Sequence, residues 1–230
     1  MNIEILQLIE GARQAKGLAV IIDVFRAFSL ACYAFDQGAR EIIPVGDIEI
    51  AYKLKSQHPD IILVGERNER KPDGFDYGNS PAMIKDIDFT GKTVAHSTSA
   101  GTQGLVNAKS ADEIITGSFV NANAISRYIK SKKPAIVSLV CMGYASLYPT
   151  EEDTLCAEYI RNTLMDFPNN MEEISEKIRK TSGQRLFDPL NQTHSPKEDF
   201  YLCTDLGRFN FVLKAEYAED GLIRLRKIEC

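Results

Sequence analysis

Residues that bind phosphate groups and metal ions follow several short apolar runs of the chain. Asp23 and Arg26 follow the first of these runs, and Glu66 and Arg67 follow a later one. A carboxylate at such a position can hold a metal ion, and a guanidinium can grip an anion through two parallel hydrogen bonds. For Asp23 and Arg26 alone, a structural ion pair is the more frequent arrangement.

Two segments have the composition of anion-binding turns. The long polar loop over residues 68–81 ends in Asn79, Ser80 and Pro81, and we expect Ser80 to cap a helix that begins with the proline. Residues 96–104 combine a histidine with hydroxyl residues and glycines where another helix should begin. Backbone N–H groups at helix starts bind phosphate or sulfonate, but ordinary capping also explains both segments. Neither a Walker A loop nor a dinucleotide fingerprint is present.

Acidic residues also open a helix late in the chain. Thr150 and Asp153 have the spacing of a capping box, while Glu152 and Asp153 together form a second source of carboxylates for a divalent cation. Both interpretations stay open. Cys141 ends an apolar run but lacks the arginine six residues later that a cysteine phosphatase loop requires, so we expect it to pack as a small apolar residue.

The elements that position these residues alternate between strands and helices. Apolar runs predict strands at residues 18–24, 41–45, 61–64, 93–96, 113–116 and 135–140. The segments between and after them predict helices at residues 26–37, 48–57, 102–109, 121–130, 151–165 and 172–180. This order predicts an α/β fold with helices on both faces of a largely parallel or mixed sheet. Residues 210–217 and 222–228 predict a hairpin in a C-terminal elaboration. We expect one domain over residues 1–230, with a C-terminal subdomain from about residue 166 as a variant.

Composition excludes several classes of protein. The 230 residues are 44% hydrophobic and carry a net charge of −5, which argues against nucleic acid as the main partner. No apolar run is long enough to cross a membrane, and the first residues do not resemble a signal peptide. Five widely spaced cysteines without a CxxC motif indicate neither disulfides nor a zinc site, so we expect a cytoplasmic protein.

Taken together, these motifs resemble the 2-phosphosulfolactate phosphatase family. The resemblance covers roughly residues 18–160 and continues more weakly through residues 199–203; its most specific segment is Gly-Phe-Asp-Tyr-Gly-Asn-Ser-Pro at residues 74–81. It implies a three-layer α/β/α sandwich and a Mg²⁺-dependent enzyme. That enzyme would hydrolyse 2-phospho-3-sulfolactate to 3-sulfolactate and phosphate, a step that serves coenzyme M biosynthesis in the family.

The resemblance also implies roles for individual residues. The expected catalytic residues are Asp23, Arg26 and Arg67. The expected anion-binding residues are Ser29, Asn79, Ser80, Thr98, Gly101, Thr102 and Asn121. The candidate Mg²⁺ ligands are Asp23, Glu66, Asp76, Glu152 and Asp153. The partner is a small anionic phosphorylated substrate, and assembly into a homo-oligomer is left open.

Two positions depart from the family pattern. Ala100 stands where the family has asparagine and Gln103 where it has arginine, while the neighbouring His96 is a candidate cationic replacement. Alternatives are therefore the same chemistry on another phosphorylated 2-hydroxy acid, or a binder of anionic metabolites without catalysis. The DxDxT signature of aspartyl phosphatases is absent after Asp23, which favours direct attack by water.

Overall fold

Ten strands form one mixed sheet in the computed structural model, which describes residues 1–230. In chain order the strands are β1 (Asn2–Gln7), β2 (Leu18–Ile22), β3 (Glu41–Val45), β4 (Ile62–Gly65), β5 (Tyr77–Gly78), β6 (Thr93–Ser97), β7 (Glu113–Gly117), β8 (Ile136–Cys141), β9 (Phe211–Tyr217) and β10 (Ile223–Glu229). Their spatial order is β1-β8-β2-β7-β9-β10-β3-β6-β4-β5. The six strands predicted from apolar runs and the C-terminal hairpin are all present.

The C-terminal hairpin lies in the middle of the sheet. Strand β9 pairs antiparallel with β7, and β10 pairs antiparallel with β9 and β3. The hairpin thereby joins two parallel sets of four strands, β1-β8-β2-β7 on one side and β3-β6-β4-β5 on the other. What the sequence presented as an elaboration is the centre of the sheet.

The two parallel sets run in opposite directions within the sheet, yet the ends of β2 and β6 meet. The amide of Gly101, four residues past β6, donates to the carboxylate of Asp23, the residue after β2, at 2.9 Å. Five steps across the sheet separate these strands. Because each step adds about 20–25° of twist, the accumulated rotation is roughly 100–125° and turns the two carboxyl ends toward each other.

Nine α-helices surround the sheet and complete the predicted α/β/α sandwich. They are α1 (Leu8–Gln14), α2 (Ala27–Asp36), α3 (Ile48–Gln57), α4 (Pro81–Ile84), α5 (Gly101–Asn107), α6 (Ala122–Lys132), α7 (Glu151–Leu164), α8 (Met171–Lys180) and α9 (Glu198–Thr204). Short 3₁₀ helices span Phe119–Asn121, Ser182–Phe187 and Pro189–Asn191. No helix combines the length and the apolar character that a membrane crossing requires.

Alternate residues of each strand face different cores, which produces the layers. In β2, Ala19 and Ile21 belong to the core under α2 and α5, whereas Val20 and Ile22 belong to the core under α6 and α7. Helix α3 covers a third, smaller core on the face of β3, β4 and β6 that points away from α2. Helix α2 is buried from its first residue to its ninth, so it lies inside the molecule and its N-terminus is held in place.

The sequence did not predict several elements. Strand β1 pairs with β8 at the sheet edge, and its side chains alternate between exposed and half-buried positions. That pattern lacks the continuous apolar run by which the other strands were recognised. Helix α9 has seven residues, and its Asp199, Phe200 and Cys203 are buried.

Candidate active site

A cavity of about 170 Å³ opens where the carboxyl ends of β2, β4, β6 and β8 converge. Its charged and polar lining comes from the loops after these strands and from the 3₁₀ helix Ser182–Phe187, and includes Asp23, Arg26, Glu66, Glu69, Asn79, Thr98 and Arg185. A larger groove of about 620 Å³ lies at the opposite strand ends, near Arg40 and Arg224. None of the residues predicted for the site lines that groove, so the smaller cavity is the candidate active site.

Asp23 links the two halves of the sheet. One carboxylate oxygen, Oδ1, accepts from the amide of Ala27 at 3.1 Å, and Oδ2 accepts from the amide of Gly101 at 2.9 Å. These donors open α2 and α5, so the first turns of both helices hold the carboxylate in one orientation. The amide of Gly101, expected to bind substrate, is thus already paired with Asp23.

Arg26 is held by a buried ion pair. Its Nη1 atom donates to Asp199 Oδ2 at 2.8 Å and to the carbonyl of His194 at 2.9 Å. The second oxygen of Asp199 accepts from the hydroxyl of Ser80 at 2.8 Å and from the amide of Ala82 at 2.9 Å. Asp199 therefore occupies the helix start at Ser80 that was expected to receive an anion, and it orients Arg26 along the cavity wall.

Asp153 braces the loops of the cavity. Its Oδ1 atom accepts from the amide of Val24 and its Oδ2 atom from the amide of Gly143, both at 2.8 Å. Thr150 begins α7 but makes no capping hydrogen bond through its side chain. The local capping box is therefore not formed, because the carboxylate connects the ends of β2 and β8 instead.

Glu66 and Arg67 differ in their relation to the cavity. The two oxygens of Glu66 accept from the amides of Ser99 and Glu69 at 2.8 and 2.9 Å, and the side chain lines the cavity. The guanidinium of Arg67 turns away from the cavity. It donates to the carbonyl of Gly46 at 2.8 Å and to the carbonyl of Glu66 at 2.6 Å. Arg67 ties strand ends together and does not reach the cavity.

The polar loop after β6 leaves one hydroxyl without a partner. Thr98 lines the cavity, and its buried Oγ1 atom makes no hydrogen bond. Nearby, Nε2 of His96 is hydrogen-bonded to Oδ1 of Asn79 at 3.1 Å. Burial lowers the pKa of His96 to about 4, so the ring is neutral at pH 7 and is not the cationic replacement considered above. Thr98 and Asn79 supply the neutral polar lining.

Glu152 and Arg185 face each other at the cavity. Arg185 Nη2 lies 3.8 Å from Glu152 Oε1 and donates to the carbonyl of Phe25 at 3.3 Å, while Nη1 pairs with Glu69. The guanidinium carbon also lies 5.2 Å from the ring centre of Tyr144. Glu152 is buried, and its Oε2 atom has no hydrogen-bond partner.

Burial and mutual repulsion act on the carboxylates of this region. Burial, together with the charges of Glu152 and Glu66, raises the pKa of Asp23 to about 6. Burial also raises the pKa of Glu152, although Arg185 opposes that shift. Burial and the charges of Glu152 and Asp23 raise the pKa of Asp153 well above its usual range. A bound cation would relieve this repulsion.

Comparison with known proteins assigns the family. The family model described as 2-phosphosulpholactate phosphatase matches residues 3–217. The chain belongs to the 2-phosphosulpholactate phosphatase family. The prediction of a phosphoric monoester hydrolase is thereby confirmed.

Similar proteins extend over most of the chain. A probable 2-phosphosulfolactate phosphatase of Caldanaerobacter subterraneus subsp. tengcongensis is 32% identical over 220 residues, which cover 89% of each chain. The probable 2-phosphosulfolactate phosphatase of Bacillus subtilis is 30% identical, over 88% of this chain and 87% of its own length. That of Thermotoga petrophila is 38% identical, over 71% of each chain.

The structure brings only part of the predicted family site to the cavity. Asp23, Arg26, Glu66, Asn79 and Thr98 line it, and Glu152 approaches it through Arg185. The remaining predicted residues do not line it: Ser29, Arg67, Asp76, Ser80, Gly101, Thr102, Asn121 and Asp153.

Most of these remaining residues form hydrogen bonds with the backbone. Ser29 Oγ donates to the Val24 carbonyl and Asn121 Oδ1 accepts from the Ser118 amide. Thr102 Oγ1 donates to the Thr98 carbonyl at 2.8 Å. Asp76 accepts from the Leu63 amide at 2.8 Å, and its side chain is 38% exposed. The side chain of Asp76 thus lies apart from the acids near Asp23.

Sequence reasoning did not identify two charged residues at or next to the cavity. Asp199 lies in the weak C-terminal part of the resemblance, which was the only signal for it. Arg185 lies in a segment without strand or helix periodicity, and its distance along the chain from Glu69 and Phe25 hides the contact. Both come from the last third of the chain: Arg185 lines the cavity, and Asp199 holds Arg26 at its wall.

The two departures from the family pattern occupy different surroundings. Ala100 lines the cavity. Gln103 does not line the cavity. Its side-chain amide lies against Gly46, just after β3: a Cβ placed on that glycine would be only 2.6 Å from Gln103 Nε2. Only the replacement at position 100 changes the lining itself.

Proposed function

We propose that the chain is a Mg²⁺-dependent phosphatase that converts 2-phospho-3-sulfolactate to 3-sulfolactate and phosphate. Family membership supports the substrate, because the family and its named relatives carry that activity in their descriptions. The observation that carries the proposal is the cavity in which Asp23, Arg26 and Glu66 meet beside the unpaired hydroxyl of Thr98. These are donors and acceptors for an oxyanion next to a cation.

The residues present fit a magnesium ion held in part by water and substrate. No group of three His, Cys, Asp or Glu side chains is placed to hold a metal by itself. Mg²⁺ commonly takes one or two carboxylates and completes its octahedron with water and phosphate oxygens. Asp23 lines the cavity, and Glu152 has a buried oxygen without a partner, so we propose these two as the protein ligands, with Glu66 as the alternative to Glu152.

When bound, the cation would neutralise phosphoryl charge and lower the pKa of a coordinated water. Arg26 would contact the phosphoryl oxygens through the nitrogens that its ion pair with Asp199 leaves unused. Thr98 Oγ1 would donate to the same group. Asp23 is already fixed by two backbone amides, which favours a role as a ligand over that of a nucleophile. We therefore favour direct attack by water.

Phosphate release from 2-phospho-3-sulfolactate tests the proposal. We expect release in Mg²⁺, loss of release in EDTA, and recovery when Mg²⁺ is added in excess. If neither this substrate nor any other small phosphomonoester is hydrolysed in Mg²⁺, the enzyme assignment is wrong, and a change in melting temperature with these ligands would then indicate a binder.

A second substrate is favoured by one observation. Ala100 lines the cavity where the family pattern has an asparagine, so one amide donor is missing from the lining. The alternative is another phosphorylated 2-hydroxy acid, such as 2-phospholactate or 2-phosphoglycerate. A higher kcat/KM for either of these than for 2-phospho-3-sulfolactate would favour the alternative.

We also propose a cytoplasmic location. All five cysteines are free thiols in the structure, and four of them are buried. Such a set is typical of proteins in a reducing compartment. The absence of nucleic-acid partners and the oligomeric state stay predictions.

A further inference from the structure

Arg185 is the second cationic side chain of the cavity, and it lies nearer the solvent than Arg26. The side chain of Arg185 is 23% exposed, whereas that of Arg26 is 2% exposed. Arg26 follows Asp23 closely in sequence and shares its cavity wall, where the cation and the phosphoryl group are proposed to bind. Arg185 comes from the 3₁₀ helix Ser182–Phe187 and reaches the cavity from another side.

The guanidinium of Arg185 is held by contacts from loops and from the first turn of α7. Glu69 and Glu152 pair with it, and the carbonyl of Phe25 accepts from Nη2. The rings of Tyr144 and Phe25 lie 5.2 and 6.0 Å from its central carbon. Such contacts limit the rotation of the planar group, so less conformational entropy is lost when it binds an anion.

Arg185 keeps hydrogen-bond donors that its contacts with the protein do not use. Asp23, Glu66 and Glu69 line the cavity together with Arg26 and Arg185, so the lining is net negative until a cation binds. The proposed cation would offset the carboxylates near Asp23. Arg185 has five N–H donors, and the protein contacts involve only its Nη1 and Nη2 atoms. The guanidinium can therefore donate hydrogen bonds to a further oxyanion in the cavity.

We propose that Arg185 binds the sulfonate group of the substrate and gives the enzyme its preference for it. This inference rests on the proposed function. The sulfonate is attached to the carbon next to the one that carries the phosphate. A phosphoryl group placed at Asp23 and Arg26 therefore leaves the sulfonate to extend toward the more exposed guanidinium. Sulfonate oxygens accept paired hydrogen bonds from arginine in the way that carboxylate and phosphate oxygens do.

Three substrates that differ only at the third carbon test the role of Arg185. These are 2-phospho-3-sulfolactate, 2-phosphoglycerate with a hydroxyl in place of the sulfonate, and 2-phospholactate with hydrogen. Arg185→Met should lower kcat/KM for the sulfonate substrate by about 10- to 100-fold, mainly through KM, which is the effect of losing charged hydrogen bonds. The other two substrates lack the sulfonate, so their kcat/KM should fall by a clearly smaller factor, and the ratio of the losses measures the contribution of the sulfonate contact.

Two further variants make the comparison specific. Arg185→Lys keeps the charge but not the planar fork, so it should fall between the wild type and Arg185→Met for the sulfonate substrate. Arg179→Met is the matched control, because its guanidinium stacks on Phe187, 4.9 Å from the ring centre, and does not line the cavity. The control should leave all three substrates unchanged.

Equal losses on all three substrates, or no loss on the sulfonate substrate, would contradict the assignment. If the wild-type protein hydrolyses none of them, the proposed function fails, and calorimetric binding of 3-sulfolactate then decides the role of Arg185 separately. Binding that weakens about tenfold or more in Arg185→Met but not in Arg179→Met supports it. Unchanged or absent binding overturns it.

Discussion

The buried ion pair between Arg26 and Asp199 determines where the inner cationic side chain of the cavity lies. Asp199 is fully buried and accepts three hydrogen bonds, from Arg26, Ser80 and Ala82. Burial raises the pKa of Asp199, and the positive charge of Arg26 opposes this shift. Removing either partner would leave the other as a buried charge without compensation.

Asp199→Ala should therefore lower the free energy of unfolding by about 3–5 kcal/mol, which denaturant titration measures. Glu198→Ala is the matched control. Glu198 is the preceding residue and pairs with Lys85 at the surface, where its side chain is 48% exposed, so its loss should have a much smaller effect. Equal stability of the two variants would show that the buried pair does not hold this part of the cavity.

His96 makes stability depend on pH. Its pKa in the folded protein is about 4, below the ordinary value of 6.5, because burial disfavours the charged ring. The unfolded chain then takes up the proton first, so stability is lost as the pH falls from 6.5 toward 4.

Between pH 7 and pH 5, His96 should account for a loss of about 2 kcal/mol in the free energy of unfolding. His96→Gln keeps a neutral polar side chain next to Asn79 and cannot take up this proton. Urea unfolding at the two pH values should show a smaller loss in the variant than in the wild type. An equal loss in both proteins would mean that His96 does not contribute to the pH dependence.

Single site residues were predictable where a charged or hydroxyl residue closely follows a strand in the sequence. Asp23, Arg26, Glu66 and Thr98 were identified on that basis and line the cavity. The partner of Arg26 was not predictable, because Asp199 lies 173 residues away along the chain. Spacing in sequence contains no information about a contact between such distant residues.

At the scale of elements, the start of α7 connects the loops around the cavity. Asp153 accepts hydrogen bonds from the amides of Val24, after β2, and Gly143, after β8. These two hydrogen bonds join both strand ends to α7. A cap within one helix would have stabilised that helix alone. This carboxylate holds three elements in register.

Asp153→Ala should lower the free energy of unfolding by about 2 kcal/mol, because two amide donors lose their acceptor while a buried charge is removed. It should also lower phosphatase activity, since the loops on both sides of the cavity are released. Glu151→Ala is the control, as Glu151 opens the same helix turn but is exposed. Thermal or chemical unfolding of both variants measures the difference, and equal stability would rule out the bracing role.

The six strands predicted from apolar runs are buried at most positions of both faces. β2 and β6 are buried at every position; in β2 this produced a continuous apolar run, whereas β6 is apolar only at Val94 and Ala95. β1 lies at the edge of the sheet, where none of its residues is fully buried, so it lacks a continuous apolar run and was not predicted. The meeting of β2 with β6 depends on twist accumulated over the whole sheet, which no local pattern of residues describes.

For the whole molecule, the C-terminal hairpin decides how the two halves of the sheet are joined. Leu213 of β9 and Leu225 of β10 are fully buried in the same core as Ile21 and Ile42, from opposite halves. The sequence predicted the hairpin but not its place, because an alternating hairpin pattern is the same at an edge and at the centre. The last third also supplies Arg185 to the cavity and Asp199 as the partner of Arg26, so the cavity is complete only when this part has folded onto the rest of the chain.

Net charge proved to be a poor guide to the ligand. The chain carries −5, yet the proposed substrate is a polyanion. The attraction for this anionic substrate must therefore come from Arg26, Arg185 and the proposed cation, all within one cavity. The net charge still argues against a nucleic acid, whose backbone needs an extended basic surface.

Phosphate release from 2-phospho-3-sulfolactate by Asp23→Asn in Mg²⁺ tests the central claim most directly. The side-chain amide of the asparagine carries no charge, so it cannot replace the carboxylate of Asp23 at the point where the two halves of the sheet meet. We expect phosphate release to fall to the background rate, while circular dichroism and the unfolding transition show that the variant remains folded. A folded variant that releases phosphate at the wild-type rate would contradict the role of Asp23 and, with it, the assignment of this cavity as the active site.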